Sequence, residues 1–464
     1  MIRRILLPVM ILLPTAGLFA KPPQPTCTGQ PNVCIESLAQ LTVPAMRQQH
    51  YGSAFELTAP YAATDQQRTI HMRYRSNQLT LYSRLALPTS APLSTGYPVV
   101  VMAPGWISRE EAVEWDFGNN RGSLLGTISR SLTAKGFAVV TVGYRGRGTL
   151  DGASAEGMAY RDAWGNGSYL SPVFYAIDVL NVIAGLEGLQ HLDWANWLPE
   201  SAPATHFDLT RVSLWGHSQG GDVALTALAI IGDNPRFAQK LFSASIWSGN
   251  IPDRFTQADT FAPMASSKQA FMSGDGSWTG TDTGADGSVN PDFIFPWPGD
   301  WLNTLDIHSP DWQEDIWTAP TVAEARSIKY DEMYAALNRY AGDITDAGFT
   351  MTRDTRGATV IDHDPRVASL MPKIGGYNFA HWIRTPLALH ISDRDYYSVP
   401  AWNYSLASRI NASGGSAKVH EYRGVTHTLG VSKHQWFSEP GTKGAVPRAI
   451  ERDVHLYSTG SHPD

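Results

Sequence analysis

The chain has 464 residues, 43% of them hydrophobic and 17% charged, with a formal net charge of −7. That length and composition describe an ordinary folded protein with room for a large core and exclude an intrinsically disordered chain. The acidic balance, without any basic run, argues against nucleic acid or an anionic membrane surface as a partner.

The N-terminus reads as a targeting segment. Arg3 and Arg4 precede an apolar run over residues 5–19, and Ala20 stands before Lys21-Pro22-Pro23. The run contains Pro8 and Pro14 and is short for a membrane span, so residues 1–20 are expected to be a cleaved secretory signal. The mature chain would then carry about −9. The expectation is a secreted or periplasmic protein, and no later segment reads as long and apolar enough to cross a bilayer. Cys27 and Cys34, the only two cysteines, follow with six residues between them. In an exported chain such a pair suits a local structural disulfide, here in an N-terminal segment spanning 21–53.

From residue 54 to 87 the pattern is β-forming. Runs at 69–74 and 79–87 flank the turn-forming Ser76-Asn77. Residues 97–103 form a short apolar run ending at Pro104-Gly105-Trp106, as a buried parallel strand does. A helix-compatible stretch (122–135), an apolar strand (137–143), the loop Tyr144-Arg145-Gly146-Arg147-Gly148 and a helix (175–186) follow. This alternation predicts a mostly parallel sheet with helices on both faces. A further strand is expected at 241–248. Regular alternation then stops for about 130 residues, with one good helix expected at 322–340, and that length suggests an inserted lid or cap. The expected organisation is a core in two parts (54–250 and 383–464) around an insert at 251–382. After the insert come a strand at 385–391, a helix at 402–412 and a strand at 417–422.

The most informative motif is Gly216-His217-Ser218-Gln219-Gly220-Gly221, between the strand-like 211–215 and the helix-like 222–231. A strand that turns sharply into a helix exposes the serine oxygen at the helix N-terminus, and only small flanking residues permit the turn. There the helix dipole and free N–H groups favour developing negative charge. A serine hydroxyl is a weak nucleophile and needs a base, an orienting carboxylate and an oxyanion hole. Two carboxylates, Asp393 and Asp395, directly follow the apolar run 385–391. His427 lies in the loop after the strand 417–422, with His420 inside that strand and His434 beyond it. His217 is expected to pack beside the serine, and Asp222 to sit in the helix's first turn, where a carboxylate suits the dipole.

These pieces resemble the prolyl-oligopeptidase-like branch of the α/β-hydrolases, which includes exported esterases and dienelactone-hydrolase-type enzymes. The matching stretches are Pro98 to Val101 with Pro104-Gly105, Gly143 to Gly148, Asp208 to Ser213 with the elbow, Thr385-Pro386 through Val399-Pro400, and Tyr422 to His427. The resemblance implies an α/β-hydrolase fold with Ser218 as nucleophile and His427 as base. It places the triad acid on Asp395, before Val399-Pro400. One residue more than usual separates the two, so Asp393 stays an alternative. The oxyanion donors it implies are the N–H of Gln219 and, from the loop after 97–103, the N–H of Trp106.

Two departures bear on the substrate. The prolyl peptidases place a tyrosine near this loop and carry a large N-terminal propeller; neither has a counterpart here. Both move the expectation toward ester hydrolysis, with an aminopeptidase or dipeptidyl-peptidase as the alternative and a catalytically silent binding fold as a more distant one. The expected partner is a small ester or peptide. No cofactor is expected. Asp282, Asp286, Gly287 and Asn290 match places of a calcium loop, but Gly284 stands at the third place and no glutamate at the twelfth, so a plain loop is the reading and no metal is expected. The aromatics of the insert, among them Trp278, Trp297, Trp301, Tyr330, Tyr334 and Tyr340, are expected to form its own core, with two or three lining a pocket.

Overall fold

The computed structural model describes residues 33–64, 66–118, 122–165, 169–199, 202–259, 322–353, 355, 359–393, 395, 398–431 and 441–463. The chain enters through α1 (Val43–Met46), capped by the Thr42 hydroxyl, and then builds three antiparallel strands. These are β1 (Phe55–Ala63), β2 (Arg68–Ser76) and β3 (Leu79–Leu87). The β2–β3 turn falls on Asn77-Gln78, both left-handed with φ of 47° and 68°, one residue later than the turn expected at Ser76-Asn77. Ser76 is instead the last paired residue of β2, opposite Leu79, and its hydroxyl donates to the buried Asp178 at 2.7 Å. Two residues with positive φ match the twist of a two-residue hairpin.

The alternating part follows. In chain order it comprises β4 (Tyr97–Ala103), α2 (Arg109–Val113), α3 (Leu124–Thr133), β5 (Ala138–Val142), the small hairpin β6 (Thr149–Leu150) and β7 (Ala153–Ser154), α4 (Met158–Trp164), α5 (Ser171–Gly185), β8 (Phe207–His217), α6 (Gln219–Ile231) and β9 (Ser243–Trp247). After the insert come β12 (Leu387–Ser392), α9 (Pro400–Ala412), β13 (Ala417–Tyr422) and α10 (Val446–Thr459). The nine-stranded sheet runs β1-β2-β3-β5-β4-β8-β9-β12-β13, parallel from β5 to β13.

Alternation along the buried strands splits the core into two faces, because successive side chains point to opposite sides of a sheet. Val99, Val101 and Ala103 of β4 join the face covered by α5 and α6. Val100 and Met102 join the face on which α3 and α10 pack, with Trp215, Trp247 and Tyr457. On that second face Asp453 of α10 is 2% exposed and accepts from Trp247 Nε1 at 2.8 Å and Ser245 Oγ at 3.0 Å. Its other oxygen lies 2.9 Å from His390 Nε2, and His390 Nδ1 lies 2.8 Å from the Tyr422 hydroxyl. A buried polar cluster thus ties the last helix to β9, β12 and β13. His420 is buried there too, its ring 5.0 Å from that of His390.

Two expectations need correction. Beyond the N-terminal segment, the helical stretch Ser171–His191 does reach 21 residues and is apolar enough to cross a membrane, yet most of it is buried between sheet and neighbouring helices. Its apolar character on all sides is that of a core helix. The insert also holds more than one regular helix. Besides α7 (Val322–Tyr340) it contains the hairpin β10 (Phe349–Arg353) and β11 (Thr359–His363) and the short α8 (Pro365–Leu370). Tyr330, Met333, Leu337, Val367 and Met371 belong to the same apolar cluster as α5 and α6, so this part is packed into the main core. Residues 260–321, with Trp278, Trp297, Trp301 and the calcium-like loop 282–292, lie outside the described residues, as do Cys27 and His434.

Candidate active site

In the main sheet the strands β5, β4, β8, β9, β12 and β13 all point the same way, so the loops after them gather on one edge. In open parallel sheets that carboxyl edge is where ligands bind. Ser218 directly follows β8 with φ 57° and ψ −124°, a region strained for a residue with a side chain. The turn is held from three sides. Ser218 N–H donates to Trp247 O at 3.1 Å, and the Ser218 carbonyl accepts from Gly221 N at 2.8 Å and Asn250 N at 3.0 Å. The flanking glycines are required by close approach. A Cβ on Gly216 would lie 2.3 Å from Gly220 O, and one on Gly220 would lie 2.1 Å from Ala103 O.

The loop after β13 carries His427, whose Nδ1 lies 2.9 Å from each carboxylate oxygen of Asp395. Asp395 is 2% exposed, and one of its oxygens also accepts from Ser398 N at 3.0 Å. The neighbouring Asp393 faces elsewhere: its carboxylate accepts from Gly424 N at 2.9 Å and its own N–H donates to Tyr422 O at 3.3 Å. Ser392 Oγ donates to Val425 O at 2.5 Å. Ser392 and Asp393 therefore pin the β12 loop to the β13 loop while Asp395 meets the imidazole.

His217 connects the elbow to that imidazole. Its ring centre is 4.9 Å from that of His427, and its Nε2 is 3.3 Å from the His427 carbonyl oxygen, to which it donates. Burial, and then the neighbouring His427, lower the His217 imidazole to about 3. It is therefore neutral at ordinary pH and is a hydrogen-bonding strut. Asp222 lies in the first turn of α6, as expected, but the dipole is not its main partner. It forms a buried ion pair with Arg254 and accepts from Gln257 Nε2 at 3.2 Å. Among the described residues no group of three or more His, Cys, Asp or Glu side chains is placed to hold a metal ion.

The loop after β4 packs directly on the elbow. A Cβ on Gly105 would sit 3.3 Å from Ser218 Cβ and 3.2 Å from His217 O. Trp106 follows, partly exposed, and Gln219 directly succeeds the serine at the start of α6. The Pro104 and Gly105 carbonyls are both held by the loop after β5. Tyr144 Oη donates to Pro104 O at 2.9 Å, and Arg147 Nη1 donates to Gly105 O at 2.8 Å. Neither role for Tyr144 nor Arg147 was legible in the sequence, where 143–148 is a Gly-rich loop that joins the resemblance without any role attached to its residues.

No family model matches the sequence, and no curated protein matches it. Among solved structures the chain is similar to an acetyl xylan esterase from a Paenibacillus species, at 15% identity and a TM-score of 0.44, covering 94% of this chain and 97% of that one. It is also similar to an acetyl xylan esterase from a Thermoanaerobacterium species (13%, TM-score 0.42, covering 93% and 96%). An acylaminoacyl peptidase from Pyrococcus horikoshii overlaps at 13% and a TM-score of 0.42, over 87% of this chain and 41% of that one. These likenesses are distant, and the chain's own architecture carries the assignment. A largely parallel sheet covered on both faces, a strained serine turning a central strand into a helix, and an aspartate and a histidine following it in that order on one edge make this an α/β-hydrolase fold.

Proposed function

We propose that the protein is an exported serine hydrolase that cleaves carboxylic esters through an acyl-enzyme, with Ser218, His427 and Asp395 as its triad. The observation that supports this most is the imidazole–carboxylate pair: His427 Nδ1 is 2.9 Å from both oxygens of a buried Asp395, in a loop that lies against the elbow through His217. In this reading Ser218 Oγ attacks the ester carbonyl carbon while His427 Nε2 takes its proton. Asp395 holds Nδ1–H and stabilises the imidazolium. The N–H groups of Gln219 and Trp106 receive the oxyanion. The leaving alkoxide takes the proton from His427, and water then repeats the sequence on the acyl-serine.

Ester is preferred to peptide because the loop after β4 reads Pro104-Gly105-Trp106 and offers no tyrosine donor. Export rests on the N-terminal segment 1–20, and a Cys27–Cys34 disulfide would suit it. The test is hydrolysis of a short p-nitrophenyl ester by the wild type and by Ser218→Ala, with fluorophosphonate labelling of both. Turnover and labelling should vanish together in the variant; turnover that survives Ser218→Ala refutes the mechanism. Faster turnover of aminoacyl-anilides than of acyl esters would replace the esterase by a peptidase with the same triad.

A further inference from the structure

We infer that Arg147 is a positioning residue that sets both halves of the oxyanion site; this rests on the serine-hydrolase reading above. Arg147 is 1% exposed and lies in the loop after β5, distant in sequence from every residue assigned to the triad. Its Nη1 donates to Gly105 O at 2.8 Å and its Nη2 donates to Gln219 Oε1 at 3.0 Å. One guanidinium thus grips the loop after β4 and the side chain of the residue that follows the nucleophile. Its own position is fixed by aromatic faces. It lies 4.7 Å from the Tyr144 ring centre and 4.8 Å from that of Tyr175, and those two rings stack on each other at 4.5 Å. The Tyr144 hydroxyl adds its bond to Pro104 O.

Peptide planarity turns this grip into an orientation. In a trans peptide the carbonyl oxygen and the next N–H point in opposite directions. With the Gly105 carbonyl committed to Arg147, the Trp106 N–H faces away from the guanidinium. Gly105 itself, lacking a Cβ, resists a peptide flip very little. Without Arg147 the flipped plane would present a carbonyl oxygen where a donor is needed. Charge adds to the effect. Charge-bearing acceptors are absent from its bonds among the described residues: Gly105 O and Gln219 Oε1 are both neutral, so no contacting carboxylate there cancels the positive charge, which acts on a nearby developing oxyanion.

The experiment is steady-state kinetics on a p-nitrophenyl ester for Arg147→Gln and Arg147→Lys, with the rate of fluorophosphonate labelling as a second readout. A misplaced or lost oxyanion donor lowers kcat by roughly 10²-fold. Arg147→Gln should show that loss with KM within about threefold, and labelling should slow in parallel. Arg147→Lys, which keeps the charge but grips one acceptor, should fall between. Gln219→Leu cuts one of the two bonds and should lower kcat by about tenfold with KM unchanged, and it decides the matter if the arginine variants do not fold. Wild-type kcat in Arg147→Gln, or a loss confined to KM, overturns the inference while leaving the triad standing. Activity that survives Ser218→Ala would instead remove the reading beneath it.

Discussion

Gly220→Ala is the substitution whose consequence can be worked most directly from distances. The added methyl would sit 2.1 Å from Ala103 O, 2.5 Å from Pro104 O and 2.7 Å from Pro104 C, all backbone atoms that cannot rotate aside. Real Cβ contacts essentially never fall below 3.0 Å, so α6 and the end of β4 must separate by about 0.9 Å. β4 is held in register by β5 on one side and β8 on the other, which leaves the loop after it and the elbow to give way. Overpacking of this kind costs about 1–3 kcal/mol of stability. The parts displaced are the serine turn and the Gly105-Trp106 peptide, and a misplacement near 1 Å costs roughly 10²-fold in rate. Ester hydrolysis and phosphonate labelling should therefore fall by about that factor while urea denaturation still shows one cooperative transition. Gly188→Ala, with nothing within 4 Å of the new Cβ, is the matched control and should change neither. A Gly220→Ala protein with wild-type rate and midpoint would refute the steric reasoning.

The two carboxylates after β12 separate by substitution. Asp395→Asn should lower kcat by roughly 10⁴-fold, because an amide no longer enforces the required imidazole tautomer, whereas Asp393→Asn keeps an acceptor for Gly424 N–H and should stay within about tenfold. The reverse order in kcat would transfer the acid's role to Asp393. Asp453→Ala leaves Trp247 N–H, Ser245 Oγ and His390 without their buried acceptor and should cost about 3 kcal/mol in urea denaturation, a loss below about 1 kcal/mol refuting the role given to the cluster. Among the imidazoles that burial chiefly lowers, His71 and His363 fall to about 4 and His217 and His420 to about 3. Below the ordinary histidine range the unfolded chain then binds more protons at these sites than the folded one, about four at pH 5. Their contribution to stability is complete above pH 6.5 and is lost as the pH falls toward 3–4, so the urea midpoint should drop between pH 7.5 and pH 5; a constant or rising midpoint would contradict it.

Local chemistry alone made much of this molecule readable. The apolar run 97–103, the elbow between a strand-like and a helix-like stretch, and the strands before Asp395 and His427 are legible because continuous apolar or strand-forming runs and glycine spacing leave marks within a few residues. Their observed counterparts are β4, β8 with α6, β12 and β13. The hairpin β10–β11 and the helix α8 escaped notice, since short amphipathic segments carry too few apolar positions to stand out from loops; α10 was missed although Ala449, Ile450, Leu456 and Tyr457 stand at helical spacing along it.

Sequence by itself determined which residues could do chemistry and the order in which the chain presents them. Tertiary structure decided how they are used: Asp395 faces His427 while Asp393 holds the Gly424 N–H, His217 braces the His427 loop, and Arg147 grips Gly105 and Gln219. Residues dozens to hundreds of positions apart meet only where parallel strands bring their ends to one edge. The direction of a carboxylate or guanidinium there is set by hydrogen bonds whose partners no local stretch of chain contains.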